Sequence, residues 1–571
     1  MIKGIPVSQG IGIGRVVLAD AGEPVWNSEK VTDPDAEKAR LHHALQRFNE
    51  KTEHLAKSIE QAEDASLTSD SSQAEILRGH IAMLADPFLI SQMEEQIAGG
   101  KCAEDACYAA LSMFESIFMQ TEDELMRQRA ADVRDIRRRM LQILTGTEPA
   151  PLGDIPEGSV LVAEEVTPSM LAEVNRKKLS AIAAEKGGNT AHSAILARSM
   201  ELPAVYSAEG LLRSVKQGDL LVVDGMDGKV IPNPGQTELE HYQTRQKEEL
   251  ERKAQLEIFR NRQTKMADGQ KKEVFCNIGT PEEAAAALEK GGEGIGLFRT
   301  EFLFTEKSVM PDEDTQFQAY KTAAECFAGK PVIVRTLDVG GDKQIPYLHM
   351  EKEENPFLGF RAVRFCLKNE QLYETQLRAM IRASAFGNLM IMIPLVTCVE
   401  EVRSVKSLVK KIMCQLDGQG IPYNKELKVG IMVETPAACQ IADLLAEESD
   451  FFSIGTNDLV QYTMAADRGN PKVGYLNRPM HPAVLRSVRH IIACGKKAGI
   501  PVGMCGEAAA DPLLTPLLLA FGLDEFSVSP SAVLQTRAQI GKWTGEKAEK
   551  IAEDVFQMKT AEEVENYLKS I

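Results

Sequence analysis

Three kinds of side chain in this 571-residue sequence have the type and spacing to do chemistry. One is His192, set in GGNTAHSAILARS among glycines and short side chains. Another is a series of arginines, Arg299, Arg335, Arg361 and Arg468. The third is Glu434 and Asp458, which could hold metal, with the amide of Asn457 beside them and Cys505, which could move a proton. Guanidinium forks match phosphate oxygens two at a time. Carboxylates with few protein partners suit an octahedral Mg²⁺ shared with a substrate phosphate. Such a set would stabilise a phosphoryl group in transit and a developing enolate oxygen. Cys505, in GMCGE, reads either as a core thiol, the usual fate of a lone cysteine, or as a proton donor.

The elements that must position these residues follow from hydrophobic periodicity. From about 268 to the end, strand and helix patterns alternate. The strand candidates are EVFCNIG, GIGLFRT, VIVRTLD, LMIMIPLV, KVGIMVET, FFSIGTND, PVGMCGE and DEFSVS. Apolar centres mark parallel strands buried on both faces. Eight such units over this length predict a (β/α)8 TIM barrel, with a doubly wound open sheet as the alternative. A barrel gathers strand ends at one mouth, where Arg299, Arg335, Glu434, Asn457, Asp458 and Cys505 would meet. Arg361 and Arg364, in EENPFLGFRAVR, and Asp467 and Arg468, in AADRGN, would reach it from loops.

Upstream, residues 33–145 carry helical stripes: Leu41, Leu45, Phe48, Thr52, Leu55 and Ile59; Leu77, Ile81, Leu84 and Phe88; Val133, Ile136, Met140 and Ile143. One apolar stripe per helix predicts an antiparallel bundle. Strand-like runs flank it, so it reads as an insertion into a split α/β domain. A charged helical pattern, HYQTRQKEELERKAQLEIFRNRQTK, follows as a linker. In the split domain, Thr190 would cap a helix that begins near Ala191. His192 would then lie in its first turn, where the helix dipole disfavours imidazolium and welcomes phosphate. A neutral imidazole there is the nucleophile that phosphohistidine chemistry needs. His42, His43, His54 and His80 read as helix-surface residues.

Composition excludes several classes. With 65 basic and 83 acidic residues the formal charge is −18, which argues against a nucleic-acid or anionic-membrane binder. Ten scattered cysteines without a C-x-x-C pair suggest neither zinc nor a disulfide framework. No apolar run approaches membrane-spanning length, and the N-terminus lacks a signal-peptide pattern, so a cytoplasmic location is expected. GIGIGR does not match a dinucleotide fingerprint, and no Gly-Lys pair is followed by Ser or Thr as a P-loop requires.

In order along the chain, GGNTAHSAILARSMELPA, GIGLFRTEFLF, VIVRTLDVGGDK, EENPFLGFRAVR, GIMVETPAA, DFFSIGTNDL, ADRGN and GMCGE resemble the motifs of enzyme I of the bacterial phosphotransferase system. The resemblance implies a swivelling phosphohistidine domain over 1–20 and 146–235. It further implies an inserted helical domain over 21–145 that binds the carrier HPr, and a helical linker over 236–267. A barrel over 268–571 would bind phosphoenolpyruvate and form a homodimer. By the same likeness Glu434 and Asp458 hold Mg²⁺, and Arg299, Arg335, Arg361, Asn457 and Arg468 hold substrate. His192 accepts the phosphoryl group, Cys505 protonates the enolate, and Thr167 and Thr190 support the histidine. The alternatives are a dikinase-type phosphotransfer module, a paralogue with its own carrier, or a regulatory homologue. Asn189, Ala191 and the YSAEG turn depart from the family pattern.

Overall fold

The computed structural model describes the chain apart from residues 20–23, 29–30, 61–68, 121–123, 148–151, 189–191, 201, 306–308, 342–344, 349, 352 and 471. It divides into two units, Met1–Lys253 and Ala254–Ile571.

In the first unit, β1 (Ile2–Lys3), β2 (Ile5–Ser8) and β3 (Ile11–Leu18) precede five long helices. Five further strands follow them: β4 (Ser159–Ala163), β5 (Leu179–Ala184), β6 (Ala204–Tyr206), β7 (Leu220–Asp224) and β8 (Lys229–Pro232). All eight join one sheet in the order β1-β8-β7-β3-β4-β5-β6-β2. Its centre, β3 to β6, is parallel, and antiparallel pairs close both edges. The β3–β4 pairing spans the whole helical insertion, so the insertion leaves the sheet continuous.

The helices are α1 (Pro34–Glu60), α2 (Ser69–Leu84), α3 (Pro87–Ala98), α4 (Ala103–Gln120) and α5 (Glu124–Thr145). Leu41, Phe48, Leu84, Val133, Ile136 and Met140 meet in one core, as the stripes predict. Two positions differ. Phe88 is 58% exposed. Pro87 opens a new helix there, and Asp86 accepts the Phe88 and Leu89 N–H groups as its cap. The break resets the helical phase, and Leu89 takes the buried position. His80, expected on the surface, is buried, with its ring nitrogens 3.7 Å from Asp132 and 3.9 Å from Asp135 of α5. It falls on the side of Leu77 and Leu84, and carboxylates on the facing helix receive it.

The charged helix α6 (Gln236–Glu257) ends ten residues short of the expected linker boundary of 267. Its start is tied to the first unit through Tyr242, through Arg245 on Asp224 at 2.8 Å and through Gln246 on the Ile11 carbonyl. Residues 258–267 belong with the barrel instead. Buried Arg537 donates to the Phe259 and Arg260 carbonyls and to Thr264. A guanidinium with several donors and no solvent requires carbonyl acceptors, and this segment supplies them.

The second unit closes as an eight-stranded parallel barrel: β9 (Glu273–Ile278), β10 (Ile295–Phe298), β11 (Pro331–Arg335), β12 (Asn388–Ile393), β13 (Val429–Val433), β14 (Phe452–Ile454), β15 (Val502–Met504) and β16 (Glu525–Val528). All eight expected strands are present. Pairing of β16 with β9, Glu525 opposite Glu273 through Val528 opposite Cys276, excludes the open sheet. The cap sets the first testable difference. Asp86→Ala should cost about 1 kcal/mol of stability. Phe88→Ala, at an exposed ring, should stay within about 0.5 kcal/mol. Urea titration followed by circular dichroism separates them.

Candidate active site

The barrel delivers the expected residues to the C-terminal ends of its strands. Arg335 is the last residue of β11, and Glu434 and Cys505 directly follow β13 and β15. Asn457 and Asp458 lie in the first turn of the helix Thr456–Met464 after β14. Arg361 is the residue before the helix Ala362–Lys368.

Most of these side chains join one ion network. The Arg335 guanidinium reaches Glu301 at 2.7 Å and Asp338 at 3.1 Å. Arg361 reaches Asp338 at 2.8 Å, Asp458 at 3.5 Å and the Tyr462 hydroxyl at 3.3 Å. Arg468, more open to solvent, lies 3.3 Å from the other Asp458 oxygen. Glu434 accepts the Leu395 N–H at 2.7 Å. Several predicted residues stand outside the network. Arg299 is exposed just past β10. Asn457 accepts the Glu507 N–H at 3.2 Å. Arg364 donates to the Leu358 and Gly359 carbonyls and holds its own loop.

Glu301 and Asp338 were not anticipated from the sequence. Both are buried, and Asp338 bridges two guanidiniums. Their signal was present in RTEFLF and RTLDVGGD, two and three residues past strand-end arginines. They show why the arginines do not repel one another. Burial opposes a guanidinium charge, but Glu301, Asp338 and Glu434 around Arg335 outweigh it and raise its pKa.

The balance tips to negative. Glu301, Asp338, Glu434 and Asp458 face Arg335, Arg361 and Arg468, and Glu434 takes the excess. Burial first, then the charges of Asp458 and Asp338, push its carboxyl up to about 8. A divalent cation would relieve that repulsion, and two oxygen-donor carboxylates suit a hard ion. Among the described residues no group of three His, Cys, Asp or Glu could hold a metal by itself. Glu434 and Asp458 would therefore share it with substrate oxygens or water.

Cys505 is buried among Leu297, Ile333, Met392, Met432 and Phe451. Burial pushes its thiol up to about 12, with Ser453 working against that shift. The thiol is thus protonated through neutral pH, the form a proton donor needs.

In the first unit, the helix His192–Ser199 begins at the expected histidine. Its ring, together with Asn189, Thr190 and Ala191, lies outside the described residues. The approach to it is anchored. Gly187 has φ +107, and a Cβ there would sit 3.1 Å from the Tyr206 ring. Ser207 donates to the Gly187 carbonyl at 2.5 Å, and buried Tyr206 donates to the Ser193 carbonyl at 3.2 Å. Two residues of the YSAEG turn therefore hold the backbone on either side of His192. Thr167 caps the helix Pro168–Glu173 through the Met170 N–H at 3.3 Å.

Comparison with known proteins accounts for this architecture. Three family models match in order: PEP-utilising enzyme, N-terminal, over 3–129; mobile domain, over 155–228; and PEP-binding domain, over 253–544. The chain is 44% identical over its whole length to a phosphoenolpyruvate-protein phosphotransferase of Geobacillus stearothermophilus, covering 97% of that protein. Proteins of the same name from Priestia megaterium and Bacillus subtilis are 42% and 41% identical, again over the whole chain and 98% and 99% of theirs. The chain belongs to the phosphoenolpyruvate-protein phosphotransferase family. These alignments run through both units, and the match to the PEP-binding domain takes in every network residue named above.

The thiol's state is open to direct measurement. Cys414 is exposed, whereas Cys505 is buried and protonated. Because the thiolate is the reactive form, iodoacetamide at about pH 8 should alkylate Cys414 in the native protein and spare Cys505 until urea unfolds it. Peptide mass spectrometry reads the order, and early labelling of Cys505 would contradict the assigned state.

Proposed function

We propose that the chain takes the phosphoryl group of phosphoenolpyruvate onto His192, releases pyruvate, and passes the group to a histidine of a small HPr-like carrier. The carrier in turn serves sugar uptake. The observation that carries this reading is the single network of Arg335, Arg361, Arg468, Glu434 and Asp458 at the barrel mouth. Full-length relatives named for that transfer support it.

In this reading Arg335 and Arg361, held by Glu301 and Asp338 before substrate arrives, present their remaining N–H groups to phosphate and carboxylate oxygens. Donors aimed in advance need no reorganisation at the moment of transfer. Arg299, Asn457 and Arg468 complete the substrate set. Glu434 and Asp458 hold Mg²⁺, which when bound supplies positive charge to the phosphoryl and enolate oxygens. Neutral His192 attacks phosphorus, supported by Thr167 and Thr190, and the Cys505 thiol gives its proton to the methylene carbon of the enolate.

The parts divide accordingly. Residues 1–20 and 146–235 carry the phosphohistidine, and 21–145 dock the carrier. The connection is helix α6, shortened at its far end by the barrel's hold on residues 258–267. The barrel binds phosphoenolpyruvate and pairs with a second copy, and the protein works in the cytoplasm. No helix among the described residues is long and apolar enough to cross a membrane.

Incubation with phosphorus-labelled phosphoenolpyruvate and Mg²⁺ tests the reading. The native chain should take an acid-labile label and pass it to added HPr, and His192→Ala should take none. Arg468→Ala, at the exposed edge of the network, should slow labelling about a hundredfold. Label from ATP in place of phosphoenolpyruvate would point to a dikinase, and label from neither donor would sink the proposal.

A further inference from the structure

The barrel lumen has two unlike halves. Along β10 to β14 it is filled by Leu297, Ile333, Met392, Met432 and Phe451, an apolar cluster that ends at Cys505. The half lined by β14, β15, β16 and β9 carries one ring, Phe275, and otherwise Ser453, Gly503, Glu525, Ser527 and Asn277. Asn277 donates to the Cys505 and Ser527 carbonyls at 3.1 Å each, and Ser527 donates back to Asn277 at 2.6 Å. Those two residues satisfy one another. Glu525 and Ser453 do not join them.

Glu525, the first residue of β16, is a 6% exposed carboxyl inside the barrel, and one of its oxygens has no hydrogen bond. The nearby charges are Glu273 and Asp524, both negative. Burial and that repulsion hold its pKa well above the usual carboxylate range, against a single backbone N–H from Met504. Such a group keeps its proton. The chain also makes room for it. A Cβ at Gly503 would lie 1.8 Å from one carboxyl oxygen, and a Cβ at Gly296 would lie 2.6 Å from the other. Two strands omit a side chain where this acid projects.

Register shows what it faces. Gly503 pairs with Ser453 on one side and with Glu525 on the other. Residues in register point to the same side of a sheet, so the serine and the acid face each other across a residue without a side chain. Two residues beyond Gly503, on the same face, stands Cys505. The Ser453 hydroxyl lies beside its thiol and lowers its pKa, yet it is fully buried and closes no hydrogen bond of ordinary geometry. At the opposite end Glu525 pairs with Glu273, the first residue of β9, which is exposed at the N-terminal mouth. Unsatisfied buried polar atoms are few in folded proteins and call for an explanation.

We propose that Glu525 and Ser453 return a proton to Cys505 through the lumen, from the N-terminal mouth, after each turnover. The proposal rests on Cys505 being the proton donor to the enolate. The S–H bond breaks as a C–H bond forms on the methylene carbon, leaving pyruvate and a thiolate. The thiolate takes the Ser453 hydroxyl proton, and the serine oxygen takes the Glu525 carboxyl proton. The Glu525 carboxylate then recovers one from solvent at the Glu273 end. No group is oxidised, and one solvent proton enters for each proton given to carbon. Ser453 and Glu525 touch no substrate and act only through the thiol.

The test counts solvent protons against turnovers. Native protein, Mg²⁺, phosphoenolpyruvate and carbon-labelled pyruvate are mixed in D₂O. Label exchange between the two acids and deuterium in the pyruvate methyl are followed together. The native protein should place about one solvent deuteron per exchange. In Glu525→Gln and Ser453→Ala the thiol recycles its own proton, so deuterons gained per label exchanged should fall about tenfold. A merely structural defect slows both processes alike and leaves the ratio unchanged, which would overturn the relay. An unchanged ratio at full rate would also overturn it, because the thiol would then be refilled from the substrate side. Cys505→Ala separates the premise: loss of deuteration supports the donor assignment, and native deuteration without the thiol removes it, whatever the other variants show.

Discussion

Asp338 lies between two buried guanidiniums, and the architecture of the barrel mouth follows from that position. A guanidinium cannot shed its charge when buried, and at the barrel mouth the fold meets each buried arginine with a carboxylate. Arg335 takes Glu301 and Asp338, Arg361 takes Asp338 and Asp458, and Arg468 reaches the far side of Asp458. The arginines are thereby held in place by carboxylates of the protein itself. The carboxyls outnumber the arginines by one, and the repulsion is relieved at Glu434, whose raised pKa lets it keep a proton. The features that read as a phosphate clamp and as a metal pair are two aspects of one electrostatic balance.

The unit that carries His192 solves a different problem. A histidine at a helix start must be presented on a backbone that can let a donor approach, yet it must not wander. Gly187 provides the open backbone at positive φ, and Tyr206 and Ser207 pin the segment on either side of the histidine by bonds to main-chain carbonyls. Those residues come from β6 and the turn after it.

Inside the barrel, packing and chemistry share the lumen. The thioether and aliphatic side chains give Cys505 its dry wall and its high pKa. Side-chain volume is given up at Gly296 of β10 and Gly503 of β15 for a buried acid. A barrel filled uniformly with branched residues would be the simpler core.

The sequence by itself determined the periodic features. Eight apolar strands, the helical stripes and the strand-end positions of Arg335, Glu434, Asp458 and Cys505 were legible because periodicity and chain order are local properties. Tertiary structure decided the pairings. Periodicity did not show that a helix break at Asp86 would expose Phe88, or that His80 would face two carboxylates of another helix. Glu301 and Asp338 were visible as letters, but their roles depend on which strand ends lie side by side. Whether the strands close at all rests on hydrogen bonds between β16 and β9, about 250 residues apart. Contacts over such distances leave no periodic trace, and only the folded chain sets which charges and side chains meet.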